Sequence, residues 1–462
     1  MSSAEAGERT GRGAVVPEPN ESHARSLSSR LPWVAFVLVA ALAVVLVGLH
    51  ISAYRQLSVY DEPQHIDYVN RVLAGGIPAS GDIWMPATIE DATCRTIDYP
   101  DPLPPCADAA DLPGLPNGGL SMAFIHTPTY YVVTAGAVLL DRALGDRFDE
   151  VDAMRATGAL WLVVALWLLW LLWRDLGVPW QTRAGLSLAL TAAPTVMLSQ
   201  STVTNDATAL AAGAALTLAT LRWDRGNSRL WLPVAVALLA LLLKVTNLAV
   251  VLAMCAFILV RALQQSSSPR ERWHAVLSRR NLMFVGSFGI ATVLVAVGWS
   301  IVASSRATLD ESLNPQNISM AVHGFDPSWL ATSLLALASP LQPQFYQSVL
   351  AGAAGAMVVA NLANVGLLAL AVVGAARAEP GSVVRALAIA VGAAALAYGP
   401  VLTIINYVTA GVQFGIPARY GLSLVPGMLA VAGTAVRTPR GGSVMLVVGA
   451  LFYAAIAWAL LT

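Results

Sequence analysis

Long apolar segments recur along almost the whole chain, and they restrict its fold more than any other feature. A helix needs about 20 largely apolar residues to cross a bilayer, and on that criterion we count eleven segments. The chain is 56% hydrophobic and 12% charged, whereas soluble proteins average about 25% charged residues. The sequence therefore predicts an all-α, polytopic integral membrane protein. The eleven segments lie near residues 32–54, 153–174, 182–201, 205–223, 229–243, 245–262, 282–303, 347–376, 384–405, 419–436 and 442–461.

Two regions leave the number of spans open. The segments 229–243 and 245–262 are short and meet at Lys244, so they form either a re-entrant pair or one long helix with a break. Residues 127–141 are apolar but border a polar region, and we place them as a partly immersed helix. If 127–141 spans the membrane instead, the count becomes twelve and every later segment inverts its orientation.

The distribution of charge favours eleven spans with a cytoplasmic N-terminus. In that topology the cytoplasmic loops carry fourteen arginines against four acids, while the loop 55–155 on the opposite side carries fifteen acids against six arginines. This is the positive-inside pattern of membrane proteins. The twelve-span alternative would place most of those arginines outside, so we reject it. The cytoplasmic loops lie around 174–183, 222–229, 261–280, 377–385 and 437–440.

We predict one membrane domain preceded by a tail. Residues 1–30 are polar and lack periodicity, which is typical of a disordered cytoplasmic tail. Residues 31–462 then form the membrane domain, with extracytoplasmic loops at 55–152 and 304–346. The richness in Ala, Val and Arg, with a single lysine, is typical of a GC-rich, actinobacterial-like genome. Because the formal net charge is zero, there is no reason to expect a nucleic-acid partner.

Cys94 and Cys106 lie in the first outer loop. In an oxidising compartment a disulfide between them would close a small ring and contribute about 3 kcal/mol. Two free thiols are the alternative, and a zinc site is disfavoured because no histidine partners lie nearby. Cys255 lies in an apolar segment and is expected to be a small buried residue.

An acid pair, Asp61 and Glu62, follows the first span directly. Pro63 suits the first turn of a helix, where its missing N–H has no partner to lose. Ile66 and Val69 then recur at helical spacing. We therefore expect the two acids at the N-terminal mouth of a short amphipathic, juxtamembrane helix, where the structural alternative is a pair that only caps it.

Nearly all other polar groups suited to chemistry fall on the same outer face of this topology. Cations near the interface suit a lipid phosphate, and an isolated carboxylate suits proton removal from a hydroxyl. Each of these residues could also have a purely structural role. Asp206 could cap a helix, Lys244 could snorkel to the headgroups, and Arg419 could anchor a helix end. His126 could be a hydrogen-bonded interfacial residue and Tyr130 part of an aromatic belt. The full set is His126, Tyr130, Tyr131, Asn205, Asp206, Lys244, Gln413, Arg419 and Tyr420.

In their order and sidedness these motifs resemble the GT-C-type glycosyltransferases. These are membrane enzymes that depend on polyprenyl-phosphate sugars, such as the protein O-mannosyltransferases and the aminoarabinose transferases. The chain is more closely similar to a bacterial branch of predicted membrane transferases with an Asp-Glu-Pro-x-His start, here Asp61 to His65. The resemblance covers roughly residues 32–430 and implies a GT-C-like fold. It implies a transferase that moves a sugar from a polyprenyl phosphate to an extracytoplasmic acceptor hydroxyl of a cell-envelope glycan, lipid or protein.

The resemblance also implies roles for individual residues. Asp61 would be the general base, Glu62 would support it or help hold a metal, and Asp206 would be the second acid. A phosphate leaves while a carboxylate takes the attacking proton, so inversion is the expected outcome. The sequence leaves a need for magnesium or manganese open. The donor phosphate would be held by Lys244, Arg419 and Tyr420, and the cavity would be lined by His65, His126, Tyr130, Asn205 and Gln413.

Two motifs depart from the family pattern. The family usually reads His-Pro-Pro-x-Tyr-Tyr, and Thr127 replaces the first proline here. The late motif is usually Gln-Gly-Arg-Tyr, whereas five residues separate Gln413 from Arg419 here.

Rival functions remain on the sequence alone. A transporter or lipid flippase would need broken helices and ionisable groups near the bilayer midplane, and only the region of Lys244 offers them. An oligosaccharide polymerase or ligase would share the large outer loops but lack the early acid pair. A non-catalytic scaffold for glycan assembly is the third alternative.

Overall fold

In the computed structural model the protein is built from helices packed side by side. The structure describes residues 19–59, 61–97, 106, 114–309, 321–322, 324–342 and 354–462. Residues 1–18 of the predicted tail, the proline-rich middle of the first outer loop and parts of the second lie outside the described residues. The helices are α1 (Pro19–Ala53), α2 (Glu62–Leu73), α3 (Pro86–Cys94), α4 (Thr129–Ala143), α5 (Glu150–Asp175), α6 (Trp180–Thr191), α7 (Pro194–Ser201), α8 (Ala209–Asp224), α9 (Trp231–Leu243), α10 (Leu248–Gln264), α11 (Pro269–Val276), α12 (Arg279–Arg306), α13 (Ser328–Ala338), α14 (Ala354–Arg377), α15 (Val383–Ala410), α16 (Val425–Ala435) and α17 (Pro439–Leu461).

Seven of the described helices are long and apolar enough to cross a membrane. Their outward faces carry exposed apolar side chains such as Leu38, Ile290 and Leu362, which only lipid can solvate favourably. The prediction of an all-α, multi-pass membrane protein is confirmed, and the count of eleven spans stays a prediction. The seven segments are Arg30–Ala53, Glu150–Asp175, Val245–Gln264, Arg279–Arg306, Met357–Arg377, Val383–Ala410 and Pro439–Leu461.

The other predicted spans are shorter or broken helices, for local reasons. The segment 182–201 divides into α6 and α7 at Pro194, which occupies the first turn of α7 because proline cannot continue a helix without losing a hydrogen bond. α9 and α10 are separated by extended backbone at Lys244 and a short turn, Val245–Asn247. α4, at 15 residues, is shorter than a spanning helix.

The first described helix begins inside the predicted tail. α1 starts at Pro19, within the segment 1–30 that we expected to be disordered, and the boundary between tail and membrane domain stays a prediction. The segment between Pro19 and Pro32 contains Ala, Arg and Leu, which favour helix, and no glycine. The membrane helix therefore continues backward through it.

The arginine-rich loops meet at one end of the helix bundle. Arg222 pairs with Asp175 at 2.8 Å, and Arg261 pairs with Asp224 at 3.1 Å. Arg261 also donates to the carbonyl of Gly381 at 2.7 Å, and Arg377 donates to that of Ala435 at 3.4 Å. These contacts join four of the five loops that we predicted to share the cytoplasmic side, and Ala435 lies two residues before the fifth loop, 437–440.

The opposite end carries the described part of the first outer loop. It contains α2, α3 and α4, which are helices of the juxtamembrane kind that we predicted, and it has an apolar core of its own. Cys94 and Cys106 are joined in a disulfide at the end of α3. Next to it, Arg95 pairs with Asp152 at 3.2 Å, which ties this loop to the start of α5. The core includes Ile66, Tyr68, Trp84, Tyr130 and Tyr131.

Candidate active site

Asp61 stands at the entrance to α2 with a backbone that few non-glycine residues adopt. Its φ is 61° and its ψ is 10°, in the left-handed region, which only a few per cent of non-glycine residues adopt and which Asp tolerates better than most. Its side chain makes no capping hydrogen bond to the helix, so the capping interpretation does not describe it. The carboxylate is 58% exposed and is therefore open to a substrate.

Asp206 lies in the short turn Asn205–Thr208 between α7 and α8, and it is buried. Thr204 caps this turn by accepting from the Asp206 N–H at 3.3 Å, which leaves the Asp206 carboxylate for other partners. One carboxylate oxygen contacts the Lys244 ammonium. The other lies 3.0 Å from Nε of Arg419. A single buried acid thus holds two cations.

Arg419 links the two acids. Its Nη2 lies 3.3 Å from Oδ2 of Asp61 while its Nε contacts Asp206. The ring of Tyr420 lies below both cations, 4.9 Å from Lys244 Nζ and 5.7 Å from Arg419 Cζ, within reach of a cation–π interaction. Four charged residues from distant parts of the sequence therefore meet in one cluster, which we call the charge cluster: Asp61, Asp206, Lys244 and Arg419.

The two acids of the charge cluster differ in protonation chemistry. Desolvation raises the pKa of Asp61, and Arg419 offsets this only in part. Burial alone would also raise the pKa of Asp206, but Lys244 and Arg419 lower it below its usual value. Asp206 therefore stays ionised, while Asp61 has the more basic carboxylate.

Glu62 points away from the charge cluster into a separate buried ion pair. Its Oε1 and Oε2 each lie 2.8 Å from the guanidinium of Arg155 on α5. The same oxygens accept backbone N–H groups from Val203 at 2.9 Å and Ser58 at 2.7 Å. These bonds fill the acceptor capacity of the carboxylate, so Glu62 has none left for a substrate or a metal.

Arg155 was missed by the sequence reasoning. It is fully buried and also donates to the carbonyls of Tyr54 and Gln56, both at 2.7 Å. Through Glu62 it fixes the end of α1, the start of α2 and the chain just before Asp206. Its signal was present in the sequence, because an arginine within an apolar segment is costly and usually has a specific partner.

The residues predicted to line the cavity make two kinds of contact. His65 forms a 2.7 Å hydrogen bond with the hydroxyl of Tyr131, and the His65 and His126 rings stack 5.5 Å apart. Burial lowers the pKa of both histidines, so they are neutral at ordinary pH. Tyr130 instead supports the turn, because its hydroxyl accepts the Thr204 N–H at 3.1 Å. Asn205 is buried beside Asp206, and among the described residues its side-chain NH₂ has no hydrogen-bond partner.

Gln413 does not join the other predicted residues. Its Oε1 accepts the Asp326 N–H at 2.9 Å and its Nε2 donates to the Asp326 carbonyl at 3.4 Å. It thus anchors the start of α13 in the second outer loop. The residues between Gln413 and Arg419, which the family motif lacks, separate the two side chains.

The side chains at this site do not form a suitable set of ligands for a bound metal ion. Within the described ranges, no three His, Cys, Asp or Glu side chains are grouped as a metal site needs. The acid pair expected to supply hard oxygen ligands diverges, since Glu62 is committed to Arg155 and Asp61 faces Arg419.

Comparisons with known proteins found similarity among solved structures only. No family model and no curated protein matches the chain. Among solved structures, ArnT from Cupriavidus metallidurans, in a crystal structure with bound undecaprenyl phosphate, is similar with a TM-score of 0.49 and 16% sequence identity. The match covers 90% of this chain, which spans only 62% of the ArnT chain. Similarity at this level transfers neither a substrate nor a residue role.

Proposed function

We propose that the protein is a GT-C-type membrane glycosyltransferase that moves a sugar from a polyprenyl-phosphate donor to an acceptor hydroxyl. The observation that carries this proposal is the charge cluster: an exposed, basic carboxylate at Asp61 beside two cations held by a buried acid. A glycosyl transfer from a lipid phosphate needs those two elements together, a base for the acceptor and positive charge for the leaving group. The motifs that resemble the GT-C enzymes supply the same residues.

The reaction follows from the positions of these groups. The acceptor hydroxyl oxygen attacks the anomeric carbon, and its proton passes to the Asp61 carboxylate. The bond from the anomeric carbon to the phosphate oxygen breaks, and polyprenyl phosphate leaves with the electron pair. Lys244 and Arg419 stabilise the negative charge that develops on the phosphate. A single displacement of this kind inverts the anomeric configuration.

Asp206 takes a different role from the second catalytic acid implied by the resemblance. Both of its oxygens contact cations, and Thr204 Oγ1 donates to one of them at 3.2 Å. We assign it as the residue that holds Lys244 and Arg419 in place for the phosphate. Glu62 and Arg155 in turn hold the backbone that carries Asp61 and Asp206.

Arg419 also connects donor binding to the base. Its guanidinium is shared between Asp61 and Asp206. A phosphate that binds Arg419 competes with Asp61 for the same donors. Donor binding therefore releases the Asp61 carboxylate for the acceptor, which favours donor before acceptor.

The location follows from the charge distribution. The charge cluster lies at the end opposite the five arginine-rich loops, and by the positive-inside rule that end is extracytoplasmic. We therefore propose a bacterial plasma-membrane protein with a cytoplasmic N-terminus and an active site that faces the cell envelope. Its partners would be the bilayer, the lipid-linked donor and an acceptor glycan, lipid or protein.

The proposal is tested by measuring transfer of radiolabelled sugar from lipid carrier to endogenous acceptor in membranes. Asp61→Asn should abolish transfer while the protein remains in the membrane, because an amide cannot take the acceptor proton. Asp146→Asn is the matched control, since Asp146 is an exposed acid of the same outer loop with a similarly positive φ of 49°. Full activity of Asp61→Asn would contradict the role of Asp61 as the general base. Loss of activity in both variants would show that any change of an acid in this loop impairs the enzyme.

A further inference from the structure

The short helix α11 stands apart from the rest of the arginine-rich end. It connects α10 to α12, and no residue from Pro269 to Val276 is buried. It is nevertheless well formed, because Ser268 and Glu271 make a reciprocal capping box at its start. The side chain of Asn281 donates to the Ala275 carbonyl at 2.8 Å, which fixes its far end to α12.

α11 presents an apolar face with no described partner. Trp273 is 69% exposed and Leu277 is 58% exposed, and a spacing of four residues places them on one side of the helix. Pro269, four residues earlier, extends that side. A tryptophan and a leucine exposed next to the end of a membrane helix are suited to the interface between headgroups and acyl chains.

Arginines border this apolar face. Arg270, Arg272 and Arg279 are exposed, and among the described residues none forms an ion pair. Glu271, the acid of the helix, is occupied by hydrogen bonds from Ser267 and Ser268.

Arg280 lies at the same end but, unlike Arg270, Arg272 and Arg279, it contacts the rest of the protein. It donates to the Trp223 carbonyl at 3.1 Å, and its guanidinium carbon lies 4.2 Å from the centre of the Trp223 ring. It therefore packs against the protein, whereas the arginines of α11 point to the outside.

We propose that α11 lies in the membrane interface at the arginine-rich end and binds anionic phospholipid headgroups. Trp273 and Leu277 enter the boundary with the acyl chains, and the arginines contact lipid phosphates, which they can bind with two parallel hydrogen bonds. Each basic residue at an anionic membrane surface strengthens binding by roughly fivefold. This inference does not depend on the proposed transferase activity, because α11 and the charge cluster lie at opposite ends.

The test compares lipid bound by purified protein in nanodiscs of phosphatidylcholine containing a minor fraction of phosphatidylglycerol. Native mass spectrometry counts the phosphatidylglycerol that stays on the released protein. The wild-type protein should be enriched in phosphatidylglycerol over the surrounding bilayer, and Arg270→Gln with Arg272→Gln should lower the enrichment by more than tenfold. The double variant Arg385→Gln with Arg440→Gln is the control, because it removes the same charge from exposed arginines at the same end and should keep the enrichment.

A second measurement reports the position of the helix directly. Lipids brominated near the headgroup end of the acyl chain should quench a component of tryptophan fluorescence that Trp273→Phe removes. Equal phosphatidylglycerol enrichment in the two double variants, or no quenched component assigned to Trp273, would overturn the proposal. The second result would favour a protein partner on α11 instead of lipid.

Discussion

At the scale of single residues, the sequence reasoning located the charge cluster better than it located individual roles. Asp61, Asp206, Lys244 and Arg419 each follow or precede an apolar segment, so the topology alone places them at one end. The direction of a side chain is not determined by that placement. Glu62 therefore sits beside Asp61 in sequence yet faces Arg155, and Gln413 faces Asp326.

The pH profile of the transfer rate should have an acidic limb, where the rate falls as Asp61 is protonated, at an unusually high pH. Desolvation raises the pKa of Asp61 above the usual 3.8, and a general base works only when deprotonated, so the rate at low substrate concentrations falls as pH drops through the raised pKa. Because Arg419 lowers that pKa, Arg419→Gln should move the limb further upward. A pH profile of the rate at low donor and acceptor concentrations reports the enzyme before a donor phosphate draws Arg419 away, and it checks both shifts. A limb at or below the usual carboxyl pKa would contradict the role of Asp61.

Arg419 should contribute to donor binding more than to acceptor binding. Replacing it by alanine removes a charge-assisted contact worth about 1.5–3 kcal/mol, so the KM for the polyprenyl-phosphate donor should rise roughly 10- to 100-fold. The KM for the acceptor should change little. Arg147→Ala, an exposed arginine of the first outer loop, serves as the control. Equal donor affinity in wild type and Arg419→Ala would contradict the assignment.

At the scale of elements, apolar periodicity predicted where helices lie, whereas local breaks decided where some of them end and contacts between helices decided how they pack. The break at Pro194 and the break at Lys244 divide segments that read as continuous in the sequence. The ion pair of Glu62 and Arg155 joins α2 to α5 across 93 residues of sequence. No spacing within either helix indicates such a pairing.

The buried pair of Glu62 and Arg155 should be a major source of stability at the outer end. Arg155→Met leaves the Glu62 carboxylate buried without its partner, and breaking such a pair costs about 3–5 kcal/mol. The double variant Glu62→Gln with Arg155→Met should lose less than the sum of the single variants, because no uncompensated charge remains. Thermal unfolding in detergent measures this, and strictly additive losses would show that the two residues do not act as a pair.

Gly158 should be required for the packing of α5 against α7. A Cβ at this position would overlap the backbone carbonyl of Gln200, so Gly158→Ala should destabilise the protein by about 1–3 kcal/mol. Gly289→Ala in α12 is the matched control, since nothing lies within 4 Å of its added Cβ and alanine favours helix there. The melting temperature of Gly158→Ala should be lower than that of Gly289→Ala. Equal values would mean that the α5–α7 contact is not tight.

At the scale of the whole molecule, the distribution of charge predicted the arrangement that the structure shows. Arginines gather at one end, where ion pairs such as Arg222–Asp175 connect the loops, and the charge cluster lies at the other. Charge was informative because lipid leaves few alternatives to apolar helices, so the charged loops must gather at the two ends. The start of α1 at Pro19 was not predictable in the same way, since a polar helix outside the bilayer has no hydropathy signal.

The most direct measurement is an experimental structure of the protein with polyprenyl phosphate in a lipid nanodisc. The account predicts a phosphate within about 4 Å of both Lys244 Nζ and the Arg419 guanidinium, with Arg419 drawn away from an exposed Asp61. A phosphate bound elsewhere, or an Asp61 carboxylate still paired with Arg419 beside the bound phosphate, would contradict it.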